Sequence, residues 1–297
     1  MLFIDKSLRA SEGRDVNIFF LKNHFDINTL KFTIPLDKTA YSEYVKDARY
    51  KDKWRKYLCE EQGYLCCYCM RRLKLEDFTA EHVIPQSLRG DVDRPEFRKY
   101  VTGPNAAANL VAGVEYADDT EARIYTSDAD IDALIKMPHV ISHQNLLAAC
   151  KGLRGTNING CCCNHERGRA YIVPYMLILD GPDRFKYDVN GIMSMSPTDV
   201  SWTPIITILN GDTLQTIRYI WHKIANNTKY EDRHFYYGVD ERQRMIIFRT
   251  AFKKSNFLDI PLKYRGYAGK IVGKGNDYAW NQLVDYSWFL QYYRNHP

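Results

Sequence analysis

The sequence predicts an α+β protein: a central module of short strands bracketed by cysteines, with mainly helical additions at both ends. Three observations predict it. All eight cysteines lie between Cys59 and Cys163, and the last 134 residues have none. Inside that span the stretch FTAEHVIP, from Phe78 to Pro85, reads as a strand closed by proline, which cannot donate to a ladder. Beyond Gly211, apolar residues recur at helical spacing in three successive segments, the signature of amphipathic helices. The chain accordingly divides into a lead-in with a basic helix (1–62), the module (63–175, with an insertion at about 88–143) and a mainly helical C-terminal region (176–297).

Composition narrows the function classes. Of the 297 residues, 45% are hydrophobic and 13% aromatic, enough for a folded core and too many for a disordered chain. The net charge of +5 permits contact with a polyanion without demanding it. The start, MLFIDKSLRASEGRD, has no apolar core and no small-residue cleavage pattern, so it is not read as a secretory signal. The longest apolar run, YIVPYMLIL near 171–179, falls well short of the ~20 residues of a membrane span. A soluble, cytoplasmic protein is expected. Clustered thiols in such a compartment favour metal ligation over a disulfide scaffold.

Element by element, VNIFFL (Val16–Leu21) and LKFTIPL (Leu30–Leu36) are short apolar or alternating runs expected to pair as strands. Asp37 to Glu61 reads as a helix whose apolar face includes Trp54 and Leu58 and whose other face carries Lys46, Arg49, Lys51, Lys53, Arg55 and Lys56. That basic face is a solvated surface or a phosphate-tracking stripe. Gly63 ends the helix. The insertion is polar, with an acidic span from Glu115 to Asp132 and a short helix over Asp128–Met137. YIVPYMLILDGPDRFKYDVNG is expected to form a strand, a turn and a second strand, with Gly191 at the turn. Helices are expected to start at Asp212 and Asp240, and a third to end the chain. In the last helix Trp280, Leu283, Tyr286, Leu290 and Tyr293 form a stripe that reads as helix-packing core; the alternative is that the exposed-looking Tyr236, Tyr237, Tyr292 and Tyr293 form a surface for a docking partner.

The chemistry is concentrated in two stretches. In YLCCYCMRRLKLEDFTAEHVIPQS, Cys66 and Cys69 sit three apart on a turn and make half of a tetrahedral zinc site. Glu81 and His82 are strand neighbours, so they point to opposite faces and can serve one site in two ways. In HQNLLAACKGLRGTNINGCCCNHERG, Cys150 and the run Cys161-Cys162-Cys163 can bring a second pair of thiolates to the first.

Taken together, Cys66-x2-Cys69, Glu81-His82-Val83-Ile84-Pro85, Asn145-Leu146 with Cys150, and Cys163-Asn164-x2-Arg167-Gly168 resemble the HNH endonucleases of the ββα-metal fold. They are most similar to the zinc-knuckle branch that includes the nuclease subunits of Septu and retron anti-phage systems. The resemblance covers about residues 63–170. It implies phosphodiester hydrolysis with His82 as general base, a role its ordinary pKa near 6.5 suits. It implies Glu81 and Asn164 as ligands of a catalytic Mg2+ or Mn2+, which favour oxygen donors, with His165 the alternative to Asn164. Asn145 would brace the loop that carries the base, and Cys163 would join Cys66, Cys69 and Cys150 around a structural Zn2+. Arg167, Arg154 and Lys151 would meet the nucleic-acid backbone, and a partner ATPase would restrain the nuclease as a defence effector. Asn109-Leu110 lacks the cysteine five residues on that Asn145 has, and His139 and His143 read as loop residues rather than ligands.

The sequence departs from the family pattern twice. Twelve residues separate Cys150 from Cys163 where a simple knuckle has two, which leaves open which of Cys161, Cys162 and Cys163 is the fourth ligand. Sixty-two residues lie between His82 and Asn145, so the insertion is expected to loop out of a two-stranded ribbon. The rival reading is a zinc-knuckle module that binds nucleic acid or protein without catalysis.

Overall fold

The computed structural model describes residues 3–26, 28–29, 31–37, 40, 42, 48–75, 78–117, 136–151, 163, 167, 171–196, 199–227, 240–254 and 283–296. It mixes helices with small two-stranded sheets, as an α+β chain should. The chain gathers into two compact units. One comprises Met1–Cys67, Lys74–Ala149 and Arg169–Asp183; the other comprises Tyr68–Leu73, Cys150–Gly168 and Arg184–Pro297.

In the first unit, helix α1 (Ala10–His24) follows a 3-10 turn capped by the Asp5 side chain. The run VNIFFL belongs to this helix and not to a strand. Val16 and Phe20 are four apart and both 1% exposed, whereas Ile18 and Phe19 between them are half-buried. The burial period is helical, which a six-residue apolar run is too short to reveal. The pairing that does form is a minimal one, Phe25–Asp26 (β1) with Lys31–Phe32 (β2), antiparallel.

Helix α2 (Ala48–Glu61) buries Trp54 and Leu58 and exposes Lys51, Lys53 and Lys56. Arg55 leaves the basic face: it donates to the Phe78 carbonyl at 3.2 Å and lies over the Phe78 ring. Residues 38, 39, 41 and 43–47 of the expected helix lie outside the described residues. The helix ends where the glycine predicts, with Gly63 at φ 56° and the Tyr64 N–H returning to the Cys59 carbonyl at 2.7 Å, a left-handed cap.

Strand β3 (Phe78–His82) follows. The insertion contributes helices α3 (Gly90–Val101) and α4 (Ala108–Gly113) and a parallel contact of β4 (Val114–Glu115) with β5 (Met137–Pro138). Met137 therefore belongs to a strand and not to the expected helix, whose positions 128–135 lie outside the described residues, as does most of the acidic span. Strand β6 (Leu146–Cys150) pairs with β3. The Val83 N–H donates to the Asn145 carbonyl, joining the residue after β3 to the residue before β6. That is the closing bond of an antiparallel pair. The insertion thus leaves from one strand of a two-stranded ribbon and returns to the other, as the spacing predicts.

Residues 171–179 are mostly buried but form no strand. Pro174 interrupts the ladder that the run would need, and Tyr175–Leu177 is a 3-10 turn.

In the second unit, β7 (Phe185–Tyr187) and β8 (Met193–Met195) make an antiparallel hairpin. Gly191, at φ 73°, is in its turn, pressed so closely on Gln215 and Tyr219 that a side chain would collide with their backbone. Helix α5 (Thr203–Leu209), an element not expected from the sequence, precedes α6 (Asp212–Asn227). The expected stripe of α6 is the buried one: Leu214, Ile217, Ile220, Trp221 and Ile224 are each at most 3% exposed. Helix α7 (Glu241–Lys254) starts where the Asp240 carboxylate accepts from the Gln243 N–H. Helix α8 (Trp288–Asn295) buries Phe289, Leu290 and Tyr293. Tyr293 is therefore core and not surface, and the Tyr292 hydroxyl accepts from the Tyr187 N–H. Tyr236 and Tyr237 lie outside the described residues.

Among the described residues no helix is long and apolar enough to cross a membrane.

Candidate metal centre and active site

Four of the predicted cysteines meet. The sulfurs of Cys66, Cys69, Cys150 and Cys163 all lie within 4.8 Å of one another, and all four residues are buried. Cys69 Sγ is 3.7 Å from Cys150 Sγ, which is 3.6 Å from Cys163 Sγ. A disulfide would need ~2.05 Å. A tetrahedral ion with metal–sulfur bonds of ~2.3 Å places its sulfurs ~3.8 Å apart. The four thiols are thus close enough to hold a metal ion and compatible with a structural zinc. Cys163 is the fourth member; Cys161 and Cys162 lie outside the described residues.

Local backbone explains how the sulfurs converge. Cys66 and Cys69 flank a turn that ends at Met70, φ 62°, and Cys163 itself stands at φ 67°. Left-handed backbone costs a side-chain-bearing residue roughly 1–2 kcal/mol, so both bends need an external hold. The Tyr286 hydroxyl, fully buried, is 3.7 Å from Cys69 Sγ, within reach to tune that sulfur. Arg71 pairs with Asp285 at 3.3 Å nearby in sequence.

The second predicted constellation sits at the C-terminal end of β3. His82 is its last residue and 7% exposed; Glu81 is 4% exposed. The His82 Nε2 lies 2.8 Å from the Val140 carbonyl oxygen. A carbonyl only accepts, so Nε2 carries the hydrogen, and in the neutral ring Nδ1 is the basic nitrogen.

Asn145 braces the loop after His82 with three bonds. Its Oδ1 accepts from the Ile84 N–H at 2.7 Å, and its Nδ2 donates to the carbonyls of Ile84 at 2.9 Å and His139 at 2.7 Å. The decoy Asn109 makes no such clamp: its Nδ2 is buried without a partner.

Of the remaining predicted residues, Asn164, His165 and Arg154 lie outside the described residues. Lys151 is exposed. Arg167, expected to meet a phosphate backbone, is 4% exposed and donates to the Tyr68 hydroxyl at 3.1 Å.

Three groups that sequence reasoning missed hold this ground together. Gln62 clamps β6: its Nε2 donates to Ala148 O and its Oε1 accepts from Ala148 N. His139, fully buried, accepts from the Ala117 N–H at Nδ1 and stacks on Tyr116. Burial, then the neighbouring His82, push its pKa down to about 3. His143, also fully buried, meets Glu61 at 2.8 Å, and Glu61 accepts from Lys6 at 2.6 Å. The two histidines gave one signal that went unread: polar rings set inside the apolar run MPHVISHQNLL must be hydrogen-bonded if the run is core.

No family model, curated protein or solved structure matches the chain.

Proposed function

We propose that the protein is a metal-dependent endonuclease of the HNH type, with His82 as the general base. The observation that carries this reading is the hold on His82. Its Nε2 hydrogen is committed to the Val140 carbonyl, and the loop beyond it is locked by Asn145. A base that must take a proton from water needs one nitrogen fixed so that the other stays basic and aimed. A second support is the fit of the four sulfurs to a structural Zn2+, which would fasten the start of the module to the end of β6.

Glu81, a buried carboxylate one residue from the base, would hold a divalent Mg2+ or Mn2+ together with Asn164. When bound, that ion supplies charge neutralisation on the phosphate and on the departing oxygen. The chain's own work is then to hold the proton acceptor and to keep its loop rigid. The resemblance to Septu and retron nuclease subunits extends the proposal: a cytoplasmic effector of a prokaryotic anti-phage system, acting on DNA or RNA and restrained by a partner ATPase.

One observation favours the rival, a binding module without catalysis. Glu81 and His82 are 4% and 7% exposed, little surface for a substrate to reach. Turnover separates the two readings. Nucleic acids incubated with Mg2+ or Mn2+ should be cut by the wild-type chain, and His82→Ala should lower the rate by on the order of 10²–10⁴ with metal content and folding unchanged. Equal cleavage by His82→Ala, or binding with no cleavage by the wild type, would end the proposal.

A further inference from the structure

Beside the start of α1 the first unit contains a cavity of about 190 Å³. Two cations, Arg14 and Lys136, and two amides, Asn17 and Gln144, line it, and among the described residues no carboxylate does. Its size decides what kind of ligand fits. It far exceeds the ~30 Å³ of one water and stops short of the ~300 Å³ at which pockets for drug-sized molecules begin. A small polyatomic group of negative charge is the natural occupant.

The amides are positioned, not incidental. The Asn17 Oδ1 accepts from the His143 N–H at 3.0 Å, so this amide presents its donor end elsewhere. Gln144 is wedged against Gly113, where any side chain would collide with it. The neighbouring His143 ring is wedged in the same way against Gly13. Two glycines thus let one loop press against α1 and α4 and set Gln144 at the cavity wall. The Gln144 Oε1 is buried without a hydrogen-bond partner, a state that is costly unless a donor arrives.

We propose that this cavity binds a phosphate monoester that also carries a hydroxyl, the sugar-phosphate unit of a nucleotide or of a 5′-phosphorylated nucleic-acid end. Arg14, Lys136 and the Asn17 amide take the phosphate oxygens, since charge-assisted bonds to an oxyanion are the strong ones. The hydroxyl donates to the Gln144 Oε1. The site involves neither His82 nor the cysteines and stands whether or not the protein cuts nucleic acid.

Calorimetric titration of the full chain tests it, with inorganic phosphate, ribose 5-phosphate, and one dinucleotide with and without its 5′-phosphate. Ribose 5-phosphate should bind roughly tenfold more tightly than inorganic phosphate, because only it supplies a donor for Gln144. Arg14→Ala and Lys136→Ala should each weaken it by roughly tenfold with an unchanged melting temperature, and Arg14→Gln repeats the test with less loss of packing. Gly113→Ala should displace Gln144 and erase the preference for the sugar phosphate while inorganic phosphate still binds. Tighter binding of the 5′-phosphorylated dinucleotide than of ribose 5-phosphate assigns the site to a nucleic-acid end; the reverse order assigns it to a free nucleotide. No saturable binding of any of the four below about 1 mM, or wild-type affinity in the arginine and lysine variants, overturns the proposal.

Discussion

Two buried polar clusters in this chain solve the same problem differently. In the Lys6–Glu61–His143 network, the Lys6 ammonium donates to Glu61 at 2.6 Å and to the Leu146 carbonyl at 2.7 Å, and the His143 ring meets the other Glu61 oxygen. Burial would raise the Glu61 pKa, but Lys6 and His143 outweigh it and hold the carboxylate ionised. Charge is matched within the chain. Among the described residues the four-cysteine cluster contains only thiols, at separations that suit ligands around one cation. A matched cluster is an ordinary core device; four converging thiols suit an ion. The same burial therefore argues for function in one place and for packing in the other.

The largest expected effect breaks the cysteine cluster. Cys69→Ser, or a strong chelator, should cost about 5 kcal/mol or more, because metal affinity in such a site is folding energy. Urea unfolding combined with metal analysis of the purified chain measures it. Cys59 is the control. Its thiol is buried outside the cluster, and burial pushes its pKa up to about 12, which disfavours the thiolate a metal would need. Cys59→Ser should cost only about 1 kcal/mol. Equal stability of both variants, with no bound metal in the wild type, would mean that the four thiols are merely packed together.

A smaller effect tests the matched cluster. Glu61→Ala strands Lys6 in the core and should cost about 3–5 kcal/mol. The double variant Lys6→Met, Glu61→Leu removes both charges and should recover most of it, leaving the unpaired His143 as the residual cost. If the double variant were worse than the single one, the network would be contributing more than charge balance.

The smallest effect is a pH dependence. The buried His139 has its pKa lowered to about 3, first by burial, from an ordinary ~6.5. Its folded pKa lies below the unfolded one, so the unfolded chain binds more protons. Stability is full above pH ~6.5 and falls as pH drops toward 3, at up to about 1.4 kcal/mol per pH unit. His143, lowered by burial as well, acts in the same direction. His139→Gln should flatten part of that slope, and urea midpoints between pH 7 and 4 will show whether it does.

Much of this was legible in the sequence. The stripe of α6 was read correctly because its sixteen residues contain several turns of a 3.6 period. Cys66 and Cys69 announced themselves by spacing, and Asn145 by its register with Cys150. Val16–Leu21 was misread because six apolar residues fit a strand and a buried helical turn equally well. Tyr171–Leu179 was misread because Pro174 outweighs the apolar character around it. Gln62, His139 and the Lys6–Glu61–His143 network stayed hidden for one physical reason. Lys6, Glu61 and His143 are 55 and 82 positions from their partners, and no local pattern encodes a bond that only tertiary folding makes.

The way the ribbon is locked has a kinetic consequence. Ile84 and Asn145, which lock β3 to β6, are 61 positions apart. The entropy of closing such a loop grows only with the logarithm of its length, about 0.6 kcal/mol for each doubling. The intervening segment could therefore lengthen or shorten over generations at almost no cost to equilibrium stability. Speed is another matter, since distant pairings must wait for the chain ends to meet. If the four thiols hold an ion, Cys66 and Cys69, being neighbours, would capture it while the ribbon is still open, and the arrival of β6 would then set the rate at which the site is completed.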